Sequence, residues 1–222
     1  QLNLRVLVNL SGVSSTAQVK QKVDFIRSSK YPDRFRVFAN VAWNGAGGPG
    51  WAEKAVADLE QSIRDGAIGL KIAKDLGLRA KKADGTRLHV DDPDLKPIWD
   101  LCARLNVPVI IHTAEPQEFF SPLNYTNERW LELALFAERR NFMPGQPTFE
   151  DLMGERDRMY AANPKTRYIG AHFNWYGNNL ARAARQLDQL PNLVLEVGAV
   201  LYDFGRQPRA AREFFIKYQN RI

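Results

Sequence analysis

Short apolar runs alternate with segments of helical spacing along the whole chain. Residues 51–65 carry apolar side chains at the i, i+3 and i+4 positions of an amphipathic helix, and residues 35–43 are rich in Phe and Val, as in a buried strand. The same patterns predict strands at 5–10, 67–73, 107–113, 167–173 and 192–200, and helices at 15–27, 92–105, 148–162, 178–190 and 208–218. Ser14 or Ser15 is the expected N-cap of the helix at 15–27, and Asp92 that of the helix at 92–105. Apolar strands that alternate with helices are typical of a parallel sheet covered on both faces.

Six such units follow one another without a break in composition, which favours one domain over residues 1–222. We predict an α/β fold, a (β/α)8 TIM barrel that is incomplete in this sequence. An open, doubly wound sheet is the alternative. The glycine-rich segment 45–50 contains proline and lacks the G-x-G-x-x-G order of a dinucleotide-binding turn, which argues against that alternative.

Residues 115–147 interrupt the alternation after the fourth predicted strand. This segment contains Phe119, Phe120, Trp130 and Phe136, and its spacing predicts a helix near 128–139. An apolar insertion of this size at the end of a strand is expected to pack over the barrel as a lid.

Composition narrows the classes of function. The chain has 222 residues, of which 45% are hydrophobic and 25% charged, as in an ordinary globular domain. Its net charge is +6, but the cations are mixed with acidic residues and form no basic arm, so we expect no nucleic-acid partner. No apolar run approaches the roughly 20 residues that span a membrane. The single cysteine, Cys102, is expected to be a buried thiol, and no feature assigns a compartment.

The candidate chemistry lies at the predicted strand ends. His112 and His172 close two strands, Lys71 and Glu196 lie on two others, and Glu115 follows His112. Each residue alone is compatible with a structural role, such as a hydrogen-bonded core histidine. Together they would face one opening, because a parallel barrel builds its active site from the C-terminal ends of its strands. Trp43 and Trp175 would add an aromatic surface for substrate at the same rim, whereas His89 lies in a polar loop and is expected to be a surface residue.

Imidazoles and carboxylates are ligands for a divalent transition metal, zinc first and manganese second. Such an ion makes a bound water nucleophilic near neutral pH. Two histidines are too few for a closed site, so further ligands are expected outside the sequence.

Four segments carry a family resemblance: GLKI at 69–72, VPVIIH at 107–112, YIGAH at 168–172 and NLVLE at 192–196. Their order and spacing resemble barrel strands four to seven of the metal-dependent amidohydrolase superfamily, in the amidohydrolase-related branch of hydrolases and non-oxidative decarboxylases. The resemblance implies that the chain is a fragment with strands two to seven and the start of strand eight. The His-x-His pair of strand one would precede Gln1, and the aspartate of strand eight would follow Ile222.

The resemblance also implies residue roles. His112 would be the strand-five metal ligand, and His172 would bind a second metal or act on the substrate. Lys71 lies where some members carry a carboxylated lysine. We expect catalytic roles for His172, Lys71 and Glu196, substrate contacts from Trp43, Glu115 and Trp175, and metal ligation by His112 and His172.

The expected function is a metal-dependent hydrolase that activates water to attack an ester, lactone or amide-like bond of a small carboxylate-bearing or aromatic substrate. A decarboxylase on the same scaffold is one alternative. A metal-free binding module and a lyase that uses Lys71 as a Schiff-base nucleophile are the others. A homo-oligomer is compatible with the sequence.

Overall fold

Six short parallel strands form the centre of the molecule. The computed structural model describes residues 4–11 and 15–222. Within them the strands are β1 (Leu7–Asn9), β2 (Phe35–Val37), β3 (Leu70–Ile72), β4 (Val109–Ile111), β5 (Tyr168–Gly170) and β6 (Leu193–Leu195). All six lie inside the predicted strand segments and are shorter than predicted.

The strand order follows the sequence without a reversal. β1 pairs with β2, and β3, β4, β5 and β6 pair in that order, every pair parallel. A parallel bridge between Ala39 and Leu70 joins the two groups, with the Lys71 N–H donating to the Ala39 carbonyl. A doubly wound sheet would reverse direction at a switch point. The observed order is that of a barrel wall, as predicted.

Helices follow the strands. They are α1 (Thr16–Arg27), α2 (Trp51–Arg64), α3 (Asp75–Leu78, a single turn interrupted at Leu76 and Gly77), α4 (Lys96–Arg104), α5 (Trp130–Leu135), α6 (Phe149–Ala162), α7 (Leu180–Gln189), α8 (Leu201–Arg206) and α9 (Pro208–Tyr218).

Several helix starts have the expected chemistry. Thr148 forms a capping box with Asp151 at the start of α6, and the Asp92 carboxylate accepts the Asp94 N–H before α4. Ser15 is the N-cap of α1, although its side chain makes no capping hydrogen bond, and Ser14, the alternative cap, lies outside the described residues.

Three segments differ from the pattern-based prediction. β5 ends at Gly170, because residues 172–175 adopt left-handed backbone conformations. β6 ends at Leu195, and the short helix α8, absent from the prediction, follows it. Residues 220–222, expected to open a further strand, form none: Gln219–Arg221 is a 3-10 turn in which the Arg221 side chain donates to the Leu193 and Leu190 carbonyls.

The core lies between the sheet and its helices. The face of α4 that contains Ile98, Trp99 and Leu101 is buried, and Trp99 packs edge-on against Tyr168 of β5. Burial of each such side chain contributes about 1.5–3 kcal/mol. Cys102 is also fully buried, which raises the pKa of its thiol to about 12, as expected for a structural thiol. No helix within the described residues is long and apolar enough to cross a membrane.

The 115–147 insertion is partly packed. Phe119, Phe120 and Leu133 are buried, and Phe120 packs against Phe149 at the start of α6. The predicted helix near 128–139 is α5 followed by a 3-10 turn, Ala137–Arg139. Phe119 and Phe120 therefore belong to the packed part of the insertion.

Candidate active site

Two histidines meet at the C-terminal ends of neighbouring strands. His112 follows β4 and His172 follows β5, and their ring centroids lie 4.4 Å apart in an edge-on arrangement. The Trp175 ring stacks on His172 at 4.7 Å and lies 5.7 Å from His112. The parallel register between β4 and β5 places both histidines at the same edge of the sheet, as the sequence predicted.

His112 is held in its neutral form. Burial, together with the nearby His172, Lys71 and Lys74, lowers the pKa of its imidazole to about 3, against a hydrogen bond with the Ala114 backbone that raises it. Its Nε2 is buried and has no hydrogen-bond partner among the described residues. A neutral imidazole with an unpaired nitrogen is in the state that a metal ligand requires.

His172 lies on a left-handed turn. Residues 172–175 all have φ between 53° and 57°. This conformation costs roughly 1–2 kcal/mol per residue for side chains with a Cβ. The His172 Nδ1 lies 2.9 Å from the Gly198 carbonyl. Because a carbonyl only accepts, Nδ1 carries a proton, and no hydrogen bond to Nε2 is found within the described residues.

Glu196 fastens this turn to the strand β6. One carboxylate oxygen accepts the His172 backbone N–H at 3.1 Å, and the other accepts the Gly198 N–H. A Cβ at position 198 would lie 2.5 Å from the Glu196 Oε1, so any other residue there would displace the Glu196 carboxylate. Glu196 therefore supports His172 through the backbone.

Lys71 on β3 lies on the same side as Glu196. Burial lowers the pKa of its ammonium to about 8, and the negative charge of Glu196 opposes that shift. No hydrogen bond or ion pair to its Nζ is found within the described part of the chain. A cavity of about 330 Å³ opens beside it, with Trp43, Asn40 and Asp75 in its lining. The Asn40 amide donates to the Lys71 carbonyl at 2.8 Å.

Lys74 and Glu115 form an ion pair near His112. Glu115 is buried and Lys74 is partly exposed. The structure places His112, His172 and Trp175 in ring contact, with Glu196 bonded to the His172 backbone and Lys71 close enough to His112 to lower its pKa. Trp43 lines the cavity beside Lys71, and neither histidine is in the lining of that cavity. Asn174, which shares the same turn, points away from this opening into a buried network with Tyr160 and Gln186.

The donor set fits a divalent cation in part. Among the described residues, His112 offers an unpaired buried Nε2. The His172 ring, 4.4 Å away, offers its own Nε2, because its Nδ1–H donates to the Gly198 carbonyl. Nitrogen donors of this kind suit zinc and other borderline metals. A complete site needs three or four ligands, so these two residues would supply a share of it.

A second group of potential ligands lies elsewhere. Side-chain atoms of His89, Asp91 and Glu155 come within 4.8 Å of one another. His89 is half exposed, as expected, but it is not isolated, because its Nδ1 lies 2.8 Å from Glu155. Arg87 donates to both Glu155 oxygens and Arg158 to Asp91. The Glu155 and Asp91 carboxylates are therefore already paired with arginines, and these ion pairs hold the 74–92 segment against α6.

A family model matches most of the chain. The model of the amidohydrolase family matches residues 26–222, so the chain belongs to that family. No protein among the curated sequences matches the chain.

Three solved structures are similar to this chain in fold. An amidohydrolase candidate from Staphylococcus aureus is 18% identical, with a TM-score of 0.55 over 89% of this chain and 63% of its own. A TIM-barrel protein from Bordetella bronchiseptica is 18% identical, with a TM-score of 0.52 over 87% and 54%. The 2,6-dihydroxybenzoate decarboxylase from Rhizobium is 16% identical, with a TM-score of 0.52 over 90% and 68%. The chain thus spans just over half to about two thirds of these proteins, and the likeness shows a shared TIM-barrel fold.

Two supporting residues were missed by the sequence reasoning. The Gly198 carbonyl accepts a hydrogen bond from the His172 Nδ1–H. The only sequence signal for this residue is its place two residues after Glu196. Arg156 reaches the turn from α6 and looks in the sequence like an ordinary surface cation of a helix.

Proposed function

We propose that this chain forms most of the active site of a metal-dependent hydrolase that acts on a small acid or aromatic substrate. The observation that carries the proposal is the His112–His172 pair: the His112 Nε2 is buried without a hydrogen-bond partner among the described residues, and a second imidazole lies 4.4 Å from the His112 ring. Membership of the amidohydrolase family supports it. Zinc is the first candidate cation and manganese the second, because the available donors are imidazole nitrogens.

His112 would hold the cation through Nε2. A divalent ion bound there would polarise the bond to be broken and stabilise the negative charge that develops on it. The burial that lowers the His112 pKa keeps the ring free of a competing proton at neutral pH.

His172 would either share the cation or move a proton, because its Nε2 is free while Nδ1 is bound to Gly198. In the second role, Nε2 takes a proton from the attacking water and returns it to the leaving group. The Glu196 carboxylate holds the backbone of this residue in place, so ring orientation is fixed before substrate binds.

Lys71 would bind a carboxylate of the substrate. Its ammonium faces the cavity without a protein partner among the described residues, and at neutral pH a group with a pKa of about 8 remains mostly charged. Trp43 and Trp175 would contact the apolar part of the same molecule, and Glu115 would act through Lys74, whose position it fixes. We propose the 115–147 insertion as the cover of this opening.

Decarboxylation is the second candidate reaction. The decarboxylase from Rhizobium shares the fold, and its substrate is an aromatic carboxylic acid. The same residues serve both reactions, since Lys71 would bind the carboxylate in either case. A metal-free binding module and a Lys71 Schiff-base lyase remain the alternatives outside this chemistry.

The experiment compares metal content and turnover in the full-length protein. Wild type, His112→Ala and the distant His89→Ala would be assayed on a panel of aryl esters, lactones and aromatic carboxylic acids. We expect His112→Ala to lose both bound metal and turnover, and His89→Ala to keep both. Full activity after exhaustive chelation, or unchanged metal content and turnover in His112→Ala, would rule out the metal-dependent mechanism. The product, released acid or released carbon dioxide, separates hydrolysis from decarboxylation.

A further inference from the structure

The turn that carries His172 is held in an unfavourable conformation. Four consecutive residues without a glycine, 172–175, adopt left-handed φ angles, which side chains with a Cβ rarely do. Such a turn persists only where its surroundings fix it. Glu196 fixes its first residue from the side of β6. The far end, which carries Trp175, needs another anchor.

Arg156 of α6 provides that anchor. Its side chain is fully buried, and Nη1 donates to the Asn174 backbone carbonyl at 3.0 Å. Nε and Nη2 donate to Asp157 at 3.1 and 2.9 Å, and the guanidinium lies over the Tyr176 ring at 5.0 Å. The charge is therefore neutralised, and one arm of the guanidinium is directed at the turn.

Asn174 provides the second half of the arrangement. Its amide fills the space at Gly170, where a Cβ would lie 2.2 Å from the Asn174 side chain. The amide nitrogen donates to Gln186 at 2.8 Å, and its oxygen accepts the Tyr160 hydroxyl at 3.3 Å. Both the backbone and the side chain of Asn174 are thus fixed from the outer helices.

We propose that Arg156, acting through Asn174, is a positioning residue that sets the orientation of the His172 imidazole. The inference rests on the proposed function for its catalytic consequence. The geometry itself is testable without turnover.

The test uses the three histidines of the chain, His89, His112 and His172, as separate reporters. Long-range ¹H–¹⁵N spectra of the metal-free chain would be assigned with single histidine variants. In Arg156→Met, we expect the His172 ring signals to move and to lose the pattern of a single Nδ1–H tautomer, while the His89 signals stay in place.

Glu155→Gln is the matched control. Glu155 is the neighbouring buried charge on α6, and it contacts His89 instead of the turn. We expect this variant to move the His89 signals and to leave His172 unchanged. A general loosening of α6 would disturb both histidines in both variants.

Arg156→Lys keeps a buried cation with a donor but lacks the fork of the guanidinium. We expect Arg156→Lys to move the His172 signals in the same direction as Arg156→Met does, by a smaller amount. If Arg156→Met does not fold, Arg156→Lys takes its place in the test. Unchanged His172 signals in a folded Arg156 variant, or equal displacement of His172 in Glu155→Gln, would overturn the proposal.

In the full-length enzyme we expect Arg156→Met to lower kcat about 10- to 100-fold with little change in KM. If the spectra change but kcat does not, the positioning inference stands and the proposed role of His172 fails.

Discussion

The His112 and His172 rings meet edge-on with 4.4 Å between their centroids, and each makes a hydrogen bond with the backbone, His112 with Ala114 and His172 with Gly198. The Nδ1 of His172 is bound to the Gly198 carbonyl, whereas the Nε2 of His112 is buried and unpaired within the described residues. The pair is asymmetric because the Nε2 of His112 is buried, and burial lowers the pKa of that ring to about 3. Under the proposed function, His112 would bind the cation and His172 would exchange a proton.

This asymmetry predicts different losses in the two histidine variants. In the full-length protein, His172→Asn should lower turnover by about 10²- to 10⁴-fold, the usual contribution of a general acid or base, while bound metal falls less than in His112→Asn. Metal analysis after dialysis, together with steady-state rates, is the measurement. If His172→Asn and His112→Asn lost the same amount of bound metal, His172 would be a metal ligand like His112, and its separate role in proton transfer would be ruled out.

Acid should destabilise the metal-free chain through His112. The folded pKa of about 3 lies below the ordinary value of 6.5, so the unfolded state binds a proton that the folded state does not between those values. The free energy of unfolding should then fall by up to about 1.4 kcal/mol per pH unit as the pH drops below 6.5.

Urea denaturation with chelator present, from pH 7.5 to 4.5, would measure this contribution as the difference between wild type and His112→Asn. We expect the two curves to converge as the pH falls. Parallel curves would mean that His112 is protonated as easily in the folded chain as in the unfolded one.

Replacing Glu196 by Gln should loosen the turn at its first residue. The carboxylate accepts two backbone N–H groups, from His172 and Gly198, and an amide would place its own NH₂ against one of them. Hydrogen bonds to a charged group contribute about 1.5–3 kcal/mol, so we expect a loss of stability of that order. The exposed Glu150→Gln, which breaks an ion pair with Arg182, is the control, expected to cost about 0–1 kcal/mol. If urea denaturation gave the same loss of unfolding free energy for Glu196→Gln and Glu150→Gln, the Glu196 carboxylate would contribute no more to stability than an exposed one.

Lys71 should determine the affinity for acidic substrates. Lys71→Met is expected to raise KM for a carboxylate substrate about 10- to 100-fold, and Lys71→Arg less, because Arg keeps the charge. Lys96→Met, which removes an exposed lysine paired with Asp100, should have no effect. Treatment with borohydride in the presence of a carbonyl substrate should leave Lys71 unmodified, and a trapped adduct on Lys71 would instead support the Schiff-base lyase.

The repeating pattern of strand and helix came from local sequence. Apolar runs bounded by turns located the six strands of the described residues, and Asp92 located the start of the segment that leads into α4, because these features depend on neighbouring residues alone. The strand ends were less accurate. Hydrophobicity continues through Ala171 and Phe173, so the pattern contains no sign that the backbone turns left-handed at His172.

The position of the candidate site was also determined by the sequence, since parallel strands in sequential order bring residues such as His112 and His172 to one edge of the sheet. What the side chains do there was decided only by the tertiary structure. Burial sets the charge state of His112, Gly198 fixes the tautomer of His172, and Arg156 reaches Asn174 from a helix that precedes β5. Desolvation and hydrogen bonds between distant segments exist only after packing, and for that reason no local pattern encodes them.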